Sequence, residues 1–250
     1  MKHASPQPPE LGEQDGLSYA LFLPDRRPTA GVVILHGAGS AKESHFDFGR
    51  LCREAGLAAL ACDARGHGSS EGAFGPSAID DAVAMCSLLR QYAPQVALRG
   101  SSLGGWMAIH AAAASTEVAA VVAICPAPEE LLLRGLRSGD LEGFRVDRAA
   151  LEPFLEQLDL MDAARRLGRE GFGTDAESFE SSRQTALLLL HARGDEQVPY
   201  TVSEELHAAA QEPKRLILFP GGHHRSLQHD PEVQNLSLRF IADATRARAD

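Results

Sequence analysis

Apolar residues occur along this chain in short runs, and between the runs apolar and polar positions repeat at helical spacing. The first run, 17–23, alternates and is closed by Pro24, the pattern of a strand near a sheet edge. Residues 31–36 (GVVILH) are continuous, apolar and β-branched, as in a strand buried on both faces. Further strands are predicted at 57–62, 96–100, 118–125, 185–191 and 215–219. Helices are predicted at 42–55, 77–92, 103–114, 202–211 and 233–246, with Ser77 placed to cap the second and Asp80 and Asp81 in its first turn. Strands alternating with helices at this spacing predict an α/β protein built on a mostly parallel, doubly wound sheet. In such sheets ligands bind beyond the carboxyl ends of the strands.

Two stretches depart from the rhythm. Residues 1–15 are polar and proline-rich and read as a flexible arm, leaving 16–250 as one domain. Residues 127–183 are too long for one crossover helix; helical patterns at 147–158 and 160–167, then a glycine-rich stretch at 168–173, predict a small helical cap over the ligand site.

Composition narrows the classes of function. The net charge of −10 argues against a nucleic-acid or anionic-membrane surface, since both require clustered cations. The four cysteines, Cys52, Cys62, Cys86 and Cys125, show no paired or metal-like spacing and read as reduced. With no apolar leader and no run long enough to span a bilayer, the expected location is the cytoplasm. No histidine cluster has metal-ligand spacing, so no metal is expected.

The chemistry starts at Gly100-Ser101-Ser102-Leu103-Gly104, a G-x-S-x-G sequence between a predicted buried strand and an alanine-rich helix. A serine on so tight a turn needs glycine two residues before and two after, where no side chain fits. Ser102 has both; Ser101 has Arg99 and Leu103 there instead. The helix that follows aims backbone N–H groups and positive dipole at a developing oxyanion. A dinucleotide-binding alternative at 36–41 (HGAGSA) lacks the third glycine of that fingerprint.

Taken in order, the motifs resemble the α/β-hydrolase superfamily over residues 17–246. His36-Gly37-Ala38-Gly39 resembles its oxyanion loop, and Asp63-Ala64-Arg65-Gly66-His67-Gly68-Ser69-Ser70 its D-x-R-G-x-G-x-S turn. Gly100 to Trp106 resembles the nucleophile elbow, Gly194-Asp195-Glu196-Gln197-Val198-Pro199 the loop carrying the acid, and Gly221-Gly222-His223-His224-Arg225 the segment carrying the base. Compact esterases, acyl-thioesterases and dienelactone-hydrolase-like members are the most similar subgroup.

The resemblance implies the α/β-hydrolase fold and a triad of Ser102, Asp195 and a histidine that is His223 or His224. The family pattern G-x-D-H-R aligns His224 with the catalytic position. Backbone N–H groups of Ala38 and Leu103 would hold the oxyanion. His36, His67 and His191 read as loop-fixing hydrogen bonders, and Asp63 and Arg65 as stabilisers of their own turn. Phe46, Phe74 and Trp106 are candidate substrate contacts. The expected activity is cleavage of small to medium carboxylic esters or thioesters through an acyl-enzyme, without a cofactor and with a small-molecule acyl substrate as partner. Peptidase, acyltransferase or perhydrolase chemistry on the same triad, and ligand binding without catalysis, are the alternatives.

Overall fold

The computed structural model of the protein describes residues 7–141, 143–167 and 184–248. The glycine-rich stretch expected at 168–173 lies outside these. Eight strands form one sheet: β1 (Glu10–Gln14), β2 (Leu17–Phe22), β3 (Gly31–Leu35), β4 (Ala58–Cys62), β5 (Val96–Ser101), β6 (Val118–Ile124), β7 (Ala186–Ala192) and β8 (Lys214–Phe219). Their spatial order is β1-β2-β4-β3-β5-β6-β7-β8. β2 runs antiparallel to β1 and β4, and every later neighbour pair is parallel. β3 through β7 are buried at every position, which explains why their sequences are continuous apolar runs without alternation.

One sheet face carries α1 (Phe46–Glu54) and α8 (Pro231–Ala247); the other carries α2 (Ala78–Leu89), α3 (Leu103–Ala114) and α7 (Thr201–Ala209). Within the insertion, α4 (Glu129–Ser138) pairs with α5 (Arg148–Leu155), while α6 (Leu160–Arg166) is buried against α3 and α7. Phe144 stacks on His67, and the Arg145 N–H donates to the Gly66 carbonyl at 3.0 Å, so this stretch lies against the turn that follows β4.

The structure corrects the sequence reading at three points. Residues 10–14, expected in a flexible arm, form the edge strand β1, registered Glu10 to Leu21 through Gln14 to Leu17. The hairpin turn Asp15-Gly16, both at positive φ, brings this polar segment back along β2. The helix expected from 42 begins only at Phe46, after a tight 3-10 turn at Lys42–His45. Lys42 points inward there, and its backbone N and Nζ both bind Asp63, at 2.7 and 2.6 Å. Ser77 precedes α2, but its hydroxyl meets Asp81 Oδ2 at 3.1 Å instead of capping a backbone N–H.

Candidate active site

Ser102 sits between the end of β5 and the start of α3 with φ 54° and ψ −116°, a region that L residues rarely occupy. The flanking glycines make the turn possible. A Cβ on Gly100 would lie 2.0 Å from the Gly104 carbonyl oxygen, and one on Gly104 would lie 2.2 Å from that of Leu35. Both clashes are with backbone, so neither can be relieved by a rotamer change. The turn is anchored by Ser102 N–H donating to Ile124 O at 2.9 Å, and by Ser102 O accepting from Trp106 N–H at 3.1 Å.

His224 follows β8 and is nearly buried. Its Nδ1 donates to Asp195 Oδ2 at 2.7 Å. Asp195 lies just beyond β7, its side chain wholly buried. Its Oδ1 accepts from the Gln197 and Val198 N–H groups, each at 2.9 Å, and His191 Nε2 lies 3.4 Å from its Oδ2. Burial alone would raise this carboxyl. Hydrogen bonds from His191, His224 and the two amides outweigh it and hold the group well below the ordinary aspartate value. The neighbouring His223 is exposed, and its Nδ1 accepts instead from Arg225 N–H at 3.3 Å. Geometry therefore joins Asp195 to His224, the histidine that the family pattern favours, and not to His223.

Ser102 and His224 line one cavity of about 80 Å³ with Gly37, Ala38, Ser40, Ser101, Gln197, Arg225 and Gln228. The residues expected to form an apolar contact surface lie elsewhere. Trp106 is fully buried and donates its indole N–H to Glu129 Oε1 at 2.8 Å. Phe74 is buried edge-on to His67 and Phe144. Phe46 packs edge-on to Phe22. Their apolar character serves the core, and polar side chains line the cavity.

The loop-fixing histidines sit as expected. His36 Nε2 accepts from Ala64 N–H at 3.0 Å, and His67 Nε2 from Gly39 N–H at 3.2 Å. Asp63 binds Lys42 and the Ser69 N–H, while Arg65 pairs with Asp81 at 2.9 Å. Cys125, His191 and Asp195 bring one ligand-type atom each within 4.8 Å of one another. Both His191 nitrogens are already engaged, Nδ1 with Ser203 Oγ at 2.7 Å and Nε2 with Val198 O at 3.0 Å, which favours hydrogen bonding over metal ligation.

Sequence reasoning missed Glu129, which gathers Trp106, His110 (2.6 Å) and the Leu160 N–H (3.0 Å), and it missed Gln228 in the cavity wall. Neither belongs to a motif, and the bonds that tie them to α3 and β5 span 19 to 129 positions.

Known proteins show the same organisation. The sequence model of the Alpha/beta hydrolase family matches residues 32–234. Protein YfhR of Escherichia coli strain K12, itself described as uncharacterized, is 26% identical over 229 residues, covering 86% of this chain and 71% of its own. The esterase domain of a Rhodothermus marinus protein superposes with a TM-score of 0.66 at 26% identity, covering 92% of each chain. Est1E of Butyrivibrio proteoclasticus, solved with ferulic acid bound, superposes with a TM-score of 0.69 at 18% identity, covering 96% of this chain and 99% of its own.

Proposed function

The chain belongs to the Alpha/beta hydrolase family, and from that premise we propose that it is a serine hydrolase acting on carboxylic ester or thioester bonds through an acyl-enzyme. One observation carries the reading: Ser102, strained on its elbow, shares a cavity with His224, whose far ring nitrogen is bonded to the buried Asp195 carboxylate. A serine hydroxyl is a weak nucleophile at neutral pH and needs a base that is itself oriented. With Nδ1–H committed to Asp195, Nε2 is the His224 ring nitrogen left to accept the Ser102 proton.

Ser102 Oγ attacks the carbonyl carbon while His224 takes its proton, and Asp195 stabilises the resulting imidazolium. The oxyanion is received by the N–H groups of Ala38, in the cavity wall, and Leu103, the first residue of α3. His224 returns the proton to the leaving alcohol or thiol. Water, deprotonated by His224, then attacks the acyl-Ser102 ester; the bond to Ser102 Oγ breaks, His224 returns the proton to that oxygen, and the acid is released. The named activities of the Rhodothermus marinus esterase domain and of Paleococcus ferrophilus monoacylglycerol lipase support ester cleavage.

A fluorophosphonate probe tests the reading directly. Wild type labels and Ser102→Ala does not; equal labelling of the two would overturn it. On p-nitrophenyl esters of graded chain length, His224→Ala loses about 10³-fold or more in kcat, whereas His223→Ala stays within severalfold of wild type. An acyl-CoA and a peptide panel assign the leaving group.

A further inference from the structure

Ser101 fails the steric test for the nucleophile, yet its side chain is not idle. Its hydroxyl donates to Gln228 Oε1 at 2.5 Å. Two residues earlier on the same strand, the buried Arg99 donates Nη2–H to the Gln228 backbone carbonyl at 3.0 Å and lies 4.1 Å over the Phe48 ring. Both carbonyl oxygens of Gln228 are thus held by the strand that ends in Ser102. Gln228 itself lies in the 3-10 turn Leu227–His229, four residues beyond His224 and directly before α8.

The side-chain amide is also oriented from its other end. Asp47 Oδ2 accepts from His229 Nδ1 at 3.1 Å, which leaves His229 Nε2 to accept from Gln228 Nε2–H at 3.0 Å. The Gln228 carbonyl then faces Ser101. A chain of matched donors and acceptors therefore runs from the elbow through Gln228 and His229 to Asp47 on α1. Arg99 makes no ion pair among the described residues, and its burial is compensated by the Gln228 carbonyl, the Ser237 hydroxyl at 3.4 Å and the Phe48 face.

We propose that Gln228 is a positioning residue which, through Ser101 and Arg99, fixes the loop bearing His224 relative to the strand bearing Ser102. This rests on the serine-hydrolase reading. The two reacting residues stand on separate elements, and a misplacement of about 1 Å between them is enough to cost on the order of 100-fold in rate. A role confined to positioning requires that substrate binding be the same with and without the bond.

The test removes the Ser101–Gln228 bond from either side and then together. Ser101→Ala and Gln228→Ala each lower kcat by about tenfold or more with KM within about twofold. The double variant is no worse than the poorer single variant, because one bond is lost in all three. Ser101→Thr, which keeps the hydroxyl that donates to Gln228 Oε1, retains most of kcat. Fluorophosphonate labelling slows in parallel with kcat. Three results would each overturn the proposal: kcat unchanged in both alanine variants; KM rising at constant kcat, the mark of a substrate contact; or Ser101→Thr losing as much as Ser101→Ala. If one alanine variant fails to fold, the other reads the same bond. Failure of the serine-hydrolase reading shows separately, as a wild type that neither labels nor hydrolyses ester.

Discussion

The Asp195 carboxyl is buried and nevertheless favours its charged form, because His224 and the Gln197 and Val198 amides donate to its two oxygens and the His191 ring lies 3.4 Å away. Folding therefore lowers its pKa below the ordinary 3.8. A group depressed by folding contributes stability that is fully present above its unfolded pKa and is lost as the pH falls toward its folded one. Thermal unfolding of wild type and Asp195→Asn followed from pH 7 down to 2 should show a Tm gap that is widest above 3.8 and narrows below it. A gap independent of pH would mean that ionised Asp195 is not stabilised by folding.

At the scale of elements, the site is held by turns rather than by helices. The Lys42–Asp63 pair joins the 3-10 turn before α1 to the turn after β4, with 4% and none of the two side chains exposed. Gly68 leaves room for that carboxylate; a Cβ there would lie 2.2 Å from Asp63 Oδ2. Removing one member of a buried pair strands the other charge at a cost of about 3–5 kcal/mol. Lys42→Met should therefore lower unfolding stability by that order in urea titrations, and Lys42→Met with Asp63→Asn should recover part of it. Equal losses in the single and double variants would show that the stranded charge is not the cause.

The sheet divides the interior into two apolar clusters, one beneath α1 and α8 and one beneath α2, α3, α6 and α7. Cys52 and Cys125 lie in the first, Cys62 and Cys86 in the second, and all four are free and buried. Burial pushes the Cys52 and Cys62 thiols up to about 12, and those of Cys86 and Cys125 up as well. A thiol reacts as its thiolate, so the folded protein at pH 8 should release no equivalent of thionitrobenzoate from Ellman's reagent, and four after denaturation. Rapid reaction of any one thiol in the folded state would show that its side of the sheet opens locally.

The sequence alone determined the architecture and the tight turn that carries Ser102, the proposed nucleophile. Each parallel strand is buried on both faces, so its apolar run marks it, and the Ser102 turn is so tight that Gly100 and Gly104 carry its geometry in local sequence. It read residues 1–15 as an arm because edge strands such as β1 keep one row of side chains in solvent and carry little apolar signal. It offered Phe46, Phe74 and Trp106 as candidate substrate contacts because apolar residues look alike whether they face a cavity or the core. Tertiary structure turned the family pattern's preference for His224 over His223 into a contact, since only the direction of a side chain beyond β8 brings one of them to Asp195. It alone joined Gln228 to Ser101, because a hydrogen bond across 127 positions leaves no periodicity and no motif in the chain.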